Sequence, residues 1–525
     1  MRDFHLPGRS PVYSSTAMAA TSHPLATSVA IDLMRRGGTA VDAAVGAALV
    51  LGIAEPQMCG IGGDCFALIR PGNGAEVAGI NGSGKAPSGF EADALRAAGH
   101  DSMPEGQAQS VTIPGAVDAF LLMLDRWGRL GRDAVLAPAI HAATEGVPVA
   151  PRVASDWASA ADTLKGPARQ AFLTQNRALS PGEVFRLPKQ AETLKSIAQN
   201  GRAAFYEGAA AEAMARTLQA AGGSHTPEDF ALNRPEIVTP ITGQCAGATL
   251  MELPPNGQGA TALLLAKILG HFDLAPLDPF GVERAHLEAE ATKLAYDARN
   301  RFIGDPETSA QYLDHMLSDR VASDLAALIR PDRALTGPAA LTEAVHKDTI
   351  YLTVVDPDGM SVSLIYSIFS SFGSGLYCPD TGVLFQNRGE GFTLTPGHPN
   401  EAGPGKRPMH TIIPGMLFAG EAVTPFGVMG GQYQSCGHVR FVTNMQTYGM
   451  DPQAAIDGPR CFAYDGELRL ERGYSDAHRQ ALKDLGHNVT TPDTAIGGAQ
   501  AITISPTGVL IAGSDPRKDG CAMGY

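Results

Sequence analysis

Thr349 stands at the head of a β-rich run, Ile350-Tyr351-Leu352-Thr353-Val354-Val355, and a second hydroxyl, Ser367, follows a second such run at 361–366. Between them Asp356-Pro357-Asp358-Gly359 is a turn signal, in which Pro presets φ and Gly accepts the left-handed position. The two runs predict an antiparallel hairpin with Asp356 opposite Met360 and Thr349 opposite Ser367, their Cβ atoms about 5 Å apart, within a one-residue shift if the loop carries a bulge. A threonine hydroxyl is a poor nucleophile at neutral pH and needs a base. A chain cut in front of Thr349 would supply one in the freed α-amine, which titrates at about 7.7–8.0. Such chemistry requires no separate histidine. Thr and Ser are also ordinary strand residues, so the pair gains meaning only from its surroundings.

Those residues need elements to hold them. Helical spacing of apolar side chains marks 25–36, 40–53, 117–127 and 284–301. The first two are rich in Ala and Gly and read as buried helices; in the last, Glu288, Glu290, Lys293 and Arg299 read as a solvated outer face. Strand-like runs fall at 65–69, 248–252, 351–356, 361–366, 411–418 and 501–511. Helices and short strands thus alternate in blocks without a clean βαβ repeat, which predicts an α/β or α+β class. Residues 331–348, with Pro331, Gly337 and Pro338, read as an exposed connector, and 396–408 as a loop. No internal repeat or Gly/Ser linker divides the chain into independent modules.

Composition narrows the partners. The 525 residues carry Lys+Arg 40 against Asp+Glu 54, a net charge of −14, which repels phosphate backbones and anionic lipid; neither nucleic acid nor a membrane is an expected partner. The seven cysteines show no CxxC spacing and fit a reduced compartment better than a disulfide framework. The segment Met1-Arg2-Asp3-Phe4-His5-Leu6-Pro7-Gly8 lacks the positive head and apolar core of a secretory signal, and the longest apolar run, around 43–54, is shorter than the roughly 18–20 residues of a membrane span. These features predict a cytoplasmic protein. H-E-x-x-H and G-x-S-x-G are absent, and Cys59 with Cys65 lacks zinc-ligand spacing, so no metal or cofactor is expected. Gly79-Ile80-Asn81-Gly82-Ser83-Gly84-Lys85-Ala86 nearly spells a P-loop. Ala86 stands where the Mg²⁺-binding hydroxyl belongs and Pro87 is a poor continuation for the helix, which leaves nucleotide binding a remote alternative.

Further landmarks follow in order: Ser22-His23-Pro24-Leu25-Ala26, Gly37-Gly38-Thr39-Ala40-Val41-Asp42, Glu55-Pro56 through Gly60-Ile61-Gly62-Gly63, Ile113-Pro114-Gly115, Pro254-Pro255 with Gly257 and Gly259, Phe372-Gly373-Ser374-Gly375, Gly405-Lys406-Arg407-Pro408, Gly430-Gly431 and Asp515-Pro516-Arg517. In order and spacing they resemble the γ-glutamyltranspeptidase family of N-terminal-nucleophile hydrolases, from about residue 17 to Tyr525. The resemblance implies an α+β fold, a four-layer αββα sandwich, and self-cleavage between Asp348 and Thr349 into a large piece, 1–348, and a small catalytic piece, 349–525, sharing one unit. It further implies a threonyl acyl-enzyme on Thr349 with Ser367 hydrogen-bonded beside it, and oxyanion donors at Gly430 and Gly431. The cleaved pieces would stay associated, with a dimer of such heterodimers as one assembly.

The substrate set departs from the transpeptidases. Their glutamate-binding arginine aligns with Ser83, an asparagine with Phe369, a Gln and an Asp with Arg388 and Gly391, and paired serines with His410 and Thr411. Loss of an acidic partner and gain of Arg388 favour a substrate that lacks an ammonium and carries a carboxylate, since a guanidinium forks a carboxylate. Arg517 completes the substrate-contacting candidates that the resemblance implies. Gln386-Asn387-Arg388-Gly389, Phe392 and 396–399 look similar to the oxamate amidohydrolase branch, so the expected substrate is a small carboxylate-bearing amide. The alternatives are a genuine γ-glutamyl transferase or glutathione hydrolase, a cephalosporin or glutaryl acylase, and a non-catalytic binding protein on the same fold.

Overall fold

The turn at Asp356–Gly359 closes a hairpin in the expected register. Asp356 N–H bonds Met360 O at 3.0 Å and Gly359 takes φ +79°. Pairing then runs from Val355 opposite Ser361 to Ile350 opposite Tyr366, which carries Thr349 to Ser367. The Asp356 carboxylate also accepts the Ala40 N–H at 2.8 Å, so the hairpin turn caps the first turn of a helix.

The computed structural model describes residues 5, 8–72, 74–335 and 349–525. Asp348 and residues 336–348 of the expected connector lie outside the described residues. Two seven-stranded antiparallel sheets pack face to face between helices. One runs Cys521–Gly524, Met18–Thr21, Ile350–Val355, Ser361–Ser367, Asp64–Arg70, Ala78–Gly82, Glu236–Val238, so the hairpin headed by Thr349 is central. The other runs Val12–Ser14, Leu510–Ser514, Gly498–Ile504, Ala422–Met429, Gly415–Ala419, Ala248–Glu252, Ile241–Cys245. Both sheets interleave strands from before and after Thr349. This is the αββα sandwich.

Period-two alternation sends the hairpin's odd-numbered residues toward the other sheet, where Tyr351 and Ile365 pack with Phe66, Leu68, Met416 and Val423. The even-numbered residues Ile350, Leu352, Val354, Leu364 and Tyr366 join the helices of the outer layer. The sheets approach closely at Gly427, where a Cβ would come within 2.3 Å of the Tyr351 ring. Helix Ala40–Ala54, opened by a Thr39/Asp42 capping box, is buried along its whole length. Its Ala and Gly content permits this: a Cβ on Gly46 would meet Leu33 at 2.3 Å.

Helices Pro24–Arg35, Ala40–Ala54, Ala116–Trp127 and Val282–Phe302 match the four expected segments closely. The expected strand 501–511 is instead two strands, Gly498–Ile504 and Leu510–Ser514, joined by a turn in which Gly508 takes φ +82°. The run 411–418 becomes a strand only from Gly415, because Pro414 has no N–H for a ladder. The near-P-loop segment is a sheet strand, Ala78–Gly82, with no helix directly behind it. All seven cysteines are unpaired.

The reading of Glu288, Glu290 and Arg299 as solvated is overturned; each is buried. Helix Val282–Phe302 lies against the inner helix Gly259–Leu269 and the strand Cys461–Tyr464, so two of its faces are covered. The Glu288 charge is matched there by two guanidinium groups. Glu288 accepts from Arg284 Nε at 2.8 Å and from Arg440, and Arg284 continues to Asn444 Oδ1 at 2.7 Å and Thr443 Oγ1 at 2.8 Å. Burial works to raise the Glu288 pKa, but the Arg284 and Arg440 charges and hydrogen bonds outweigh it and hold it below the usual value. Truncating one partner strands buried charge, so Glu288→Ala should lose about 3–5 kcal/mol of stability, read as a lowered denaturation midpoint.

Candidate active site

Three strands in register build the centre of the site. Thr349 lies opposite Ser367 by continuation of the hairpin ladder, and Ser367 pairs with Asp64 on the next strand. The ladder from Asp64–Arg70 to Ala78–Gly82, continued by one residue from Cys65 opposite Gly82, places Ser83 beside Asp64. Thr349, Ser367, Asp64 and Ser83 thus form a row on the face turned to the other sheet. All four are buried.

Thr349 Oγ1 donates to Ser367 Oγ at 3.3 Å. Ser367 Oγ also accepts from the Phe369 N–H at 2.8 Å and from Arg388 Nη2 at 3.4 Å. Arg388 is fully buried; its Nη1 donates to Thr411 Oγ1 at 3.1 Å, its guanidinium stacks 4.1 Å from the Phe369 ring centroid, and its Nε has no hydrogen-bond partner. Phe369 holds φ +81°, a strained value for a residue with a Cβ, maintained by its bond to Ser367 and the cation above its ring. Burial lowers the Arg388 pKa to about 9 while Asp64 and Glu390 oppose the shift, so the group remains a cation at neutral pH.

Behind this contact chain Asp64 gathers donors. Its Oδ1 accepts from Gly84 N–H at 2.9 Å, Gly115 N–H at 3.2 Å and Gln386 Nε2 at 2.9 Å, and its Oδ2 from His410 Nε2 at 3.1 Å. His410 Nδ1 accepts the Ile412 N–H at 3.3 Å, which assigns the proton to Nε2. Asn256 ties Ser83 Oγ at 3.0 Å to Pro408 O at 2.7 Å. On the arm carrying Arg388, Asn387 bonds Ser370 Oγ at 3.0 Å and Glu390 Oε1 at 2.7 Å, and Glu390 Oε1 also receives the Gly106 N–H at 2.7 Å.

Gly430 and Gly431 follow the facing strand Ala422–Met429, with φ +121° and +57°. Ser363 Oγ donates to Phe426 O at 3.1 Å and Tyr351 packs on Gly427, so both strands step toward the end where Thr349 lies. Among the described residues the N–H groups of Gly430 and Gly431 meet no acceptor. Gln258 Nε2 bridges Thr411 O at 2.7 Å and Gly431 O at 3.2 Å, tying the Thr411 loop to the glycine turn.

Thr349, Ser367, Phe369, Arg388 and Thr411 therefore meet in one contact chain. His410 and Ser83 stand one step back, on Asp64 and Asn256. Arg517 does not join them, and its reading as a substrate contact is corrected: all its donors are spent on Glu471, Asp515 and the Ile456 and Gly458 carbonyls, the bonds to Glu471 measuring 2.8 and 2.6 Å. Sequence reasoning missed Asp64, Asn256, Gln258 and Glu390. Asp64 had a signal, as an acid directly after Gly62-Gly63 in register with Ser367; the others are joined only by tertiary contacts.

Among the described residues one buried trio, His286, Glu290 and His487, brings metal-ligating atoms together. Hydrogen bonds already satisfy it. His286 Nδ1 and His487 Nε2 share a 2.8 Å bond, and the Glu290 oxygens receive Lys293 Nζ and the Leu335 N–H, each at 2.6 Å.

Comparison with known proteins decides the lineage: the family model described as gamma-glutamyltranspeptidase matches residues 26–525. The chain belongs to this family. It is 35% identical to the glutathione hydrolase-like YwrD proenzyme of Bacillus subtilis, covering 98% of this chain and 99% of that one. It is 34% identical to the oxamate amidohydrolase proenzyme of Klebsiella pneumoniae, over 98% and 99%. A cephalosporin acylase structure from Bacillus halodurans superposes with a TM-score of 0.92 at 37% identity, covering 100% of this chain and 99% of that one. The protein is an amide-cleaving enzyme of the N-terminal-nucleophile type. Among the described residues no helix is long and apolar enough to cross a membrane.

With no acceptor on either N–H among the described residues, the glycine turn offers two adjacent donors, and the expectation that they receive a developing oxyanion can be tested. Gly431→Val should cost about 3 kcal/mol in activation free energy, seen as lost turnover in a protein that still melts cooperatively.

Proposed function

We propose that this chain is a self-processing amidohydrolase that frees Thr349 as its N-terminal nucleophile and hydrolyses a small carboxylate-bearing amide such as oxamate. The observation that carries the substrate class is the buried Arg388 guanidinium, bonded to the hydroxyl that also binds the nucleophile and retaining an unpartnered Nε–H. A buried cation without a counter-ion in contact is costly, and a substrate carboxylate would complete it through a forked pair of hydrogen bonds. The absence of an acidic side chain hydrogen-bonded to Arg388 among the described residues fits an acyl group without an ammonium.

Geometry also favours a short acid. Thr349 Oγ1, Ser367 Oγ and Arg388 Nη2 are linked by contacts of 3.3 and 3.4 Å, so nucleophile and guanidinium lie within two hydrogen-bond lengths. A carboxylate adjacent to the attacked carbonyl spans that gap; a glutaryl chain sets its carboxylate three methylenes farther away. The glutaryl-amide reading draws on the likeness to the cephalosporin acylase and is second. The relative named as an oxamate amidohydrolase supports the first.

In processing, Thr349 Oγ attacks the carbonyl before it, the peptide nitrogen leaves as the new α-amine, and water hydrolyses the resulting ester. In turnover that amine takes the Oγ proton as Oγ attacks the substrate amide. The oxyanion sits on the Gly430 and Gly431 N–H groups, and the amide nitrogen departs as ammonia after accepting the proton. Water, activated by the same amine, then hydrolyses the acyl-threonine and releases the diacid. Ser367 holds Oγ1 in place, Arg388 and Thr411 hold the carboxylate, and the Phe369 ring beneath the guanidinium fixes its orientation.

Intact mass should show two chains with the second beginning at Thr349, whereas Thr349→Ala remains one chain and is inactive; an active, uncut wild type would refute the mechanism. In an amide panel, oxamate should surpass γ-glutamyl anilides and glutaryl amides. Arg388→Ala should raise KM for oxamate far more than it lowers kcat, because the fork forms in the ground state as well as the transition state. Efficient turnover of glutathione with none of oxamate would overturn the substrate assignment.

A further inference from the structure

We propose that Asp64 is the positioning residue of the substrate pocket: it holds the two loops that carry Arg388 and Thr411 at the correct depth beside Thr349, and takes no part in freeing the nucleophile. The proposal rests on the reading of Arg388 as the carboxylate fork. Asp64 lies at the start of Asp64–Arg70, one strand beyond Ser367 in the row, and is fully buried. Four donors converge on it from four other segments. Gly84 and Gly115 come from loops before Thr349, and Gln386 and His410 from the two loops after it. Gln386 is two residues before Arg388 and His410 adjoins Thr411, so each arm of the fork is anchored on this carboxylate by its near neighbour.

The chemistry of the donors requires an acid here. Gln386 Nε2 also bonds Thr112 Oγ1 at 2.9 Å, and its Oε1 has no partner, so the amide presents its donor end to Asp64. His410 Nδ1 is committed to accepting the Ile412 N–H, which leaves Nε2–H as a donor with a fixed direction. Only a group that accepts on both oxygens satisfies all four. An asparagine would turn an N–H₂ toward one of them. Thr349 and Ser367, by contrast, are placed by backbone ladder pairing and need nothing from the Asp64 side chain.

Asp64→Asn in the full chain should therefore still yield two chains by intact mass. Its KM for oxamate should rise by about tenfold, the size of one lost charge-assisted hydrogen bond, with kcat changed much less. Hydrogen–deuterium exchange should rise in peptides covering 384–392 and 408–413 and stay unchanged in 350–367. Gln386→Leu, which removes one arm and leaves Asp64 in place, should reproduce the KM rise and the faster exchange at 384–392. Unchanged exchange in both variants would overturn the proposal, as would Asp64→Asn losing processing and thermal stability together, since that marks a general folding role. If wild type ignores oxamate, the substrate reading fails, and the exchange pattern alone then decides for or against Asp64 as the anchor.

Discussion

The site depends on register. Strands Ile350–Val355, Ser361–Ser367 and Asp64–Arg70 are paired so that Thr349, Ser367 and Asp64 fall in one row across the sheet, on the face turned toward its partner sheet. Side chains alternate with period two, and a slip of one residue would send every member of that row into the helical layer. The turn at Asp356–Gly359 prevents the slip. Its carboxylate binds the N–H groups of Asp358 and Met360 within the turn and that of Ala40 on the neighbouring helix, so turn, ladder and outer layer enforce one alignment.

Once the row exists, the pocket becomes a problem of buried charge. Arg388, Asp64 and His410 are all fully buried, a costly arrangement unless each finds partners. Asp64 collects four donors, whereas Arg388 is left with a stacked ring, two hydroxyls and an unpartnered Nε–H. One group is complete and the other is not. The first behaves as framework, and the second is where a substrate anion would be rewarded. The same contrast removes Arg517, whose guanidinium is complete within the protein.

The glycine turn supplies the facing wall. Gly430 and Gly431 take positive φ values that aim consecutive N–H groups out of the ladder, and a Cβ on Gly430 would press within 2.7 Å of Gly497. Gln258 joins this wall to the Thr411 loop, so the parts that would bind the carboxylate and those that would face the reacting carbonyl share a common fastening.

What could be read from the chain alone were features with local causes. The hairpin register follows from a turn and two alternating runs, the helices from their apolar spacing, and the glycine pair from backbone demands a side chain cannot meet. Family landmarks added the sandwich and the order of its parts in the way a shared pattern does, by position. Charges were read poorly, and for one reason: a charge on a helix looks solvated until the elements covering it are known. Glu288, Glu290 and Arg299 turned inward because helix Val282–Phe302 is packed on two faces, and Asp64 became the hub of the pocket because Gly84, Gly115, Gln386 and His410 reach it from segments far apart in sequence. Hydrogen bonding between neighbours is encoded by a few adjacent residues, whereas the pairing of a buried charge is decided by whichever distant segments the tertiary fold brings within about 3 Å of it.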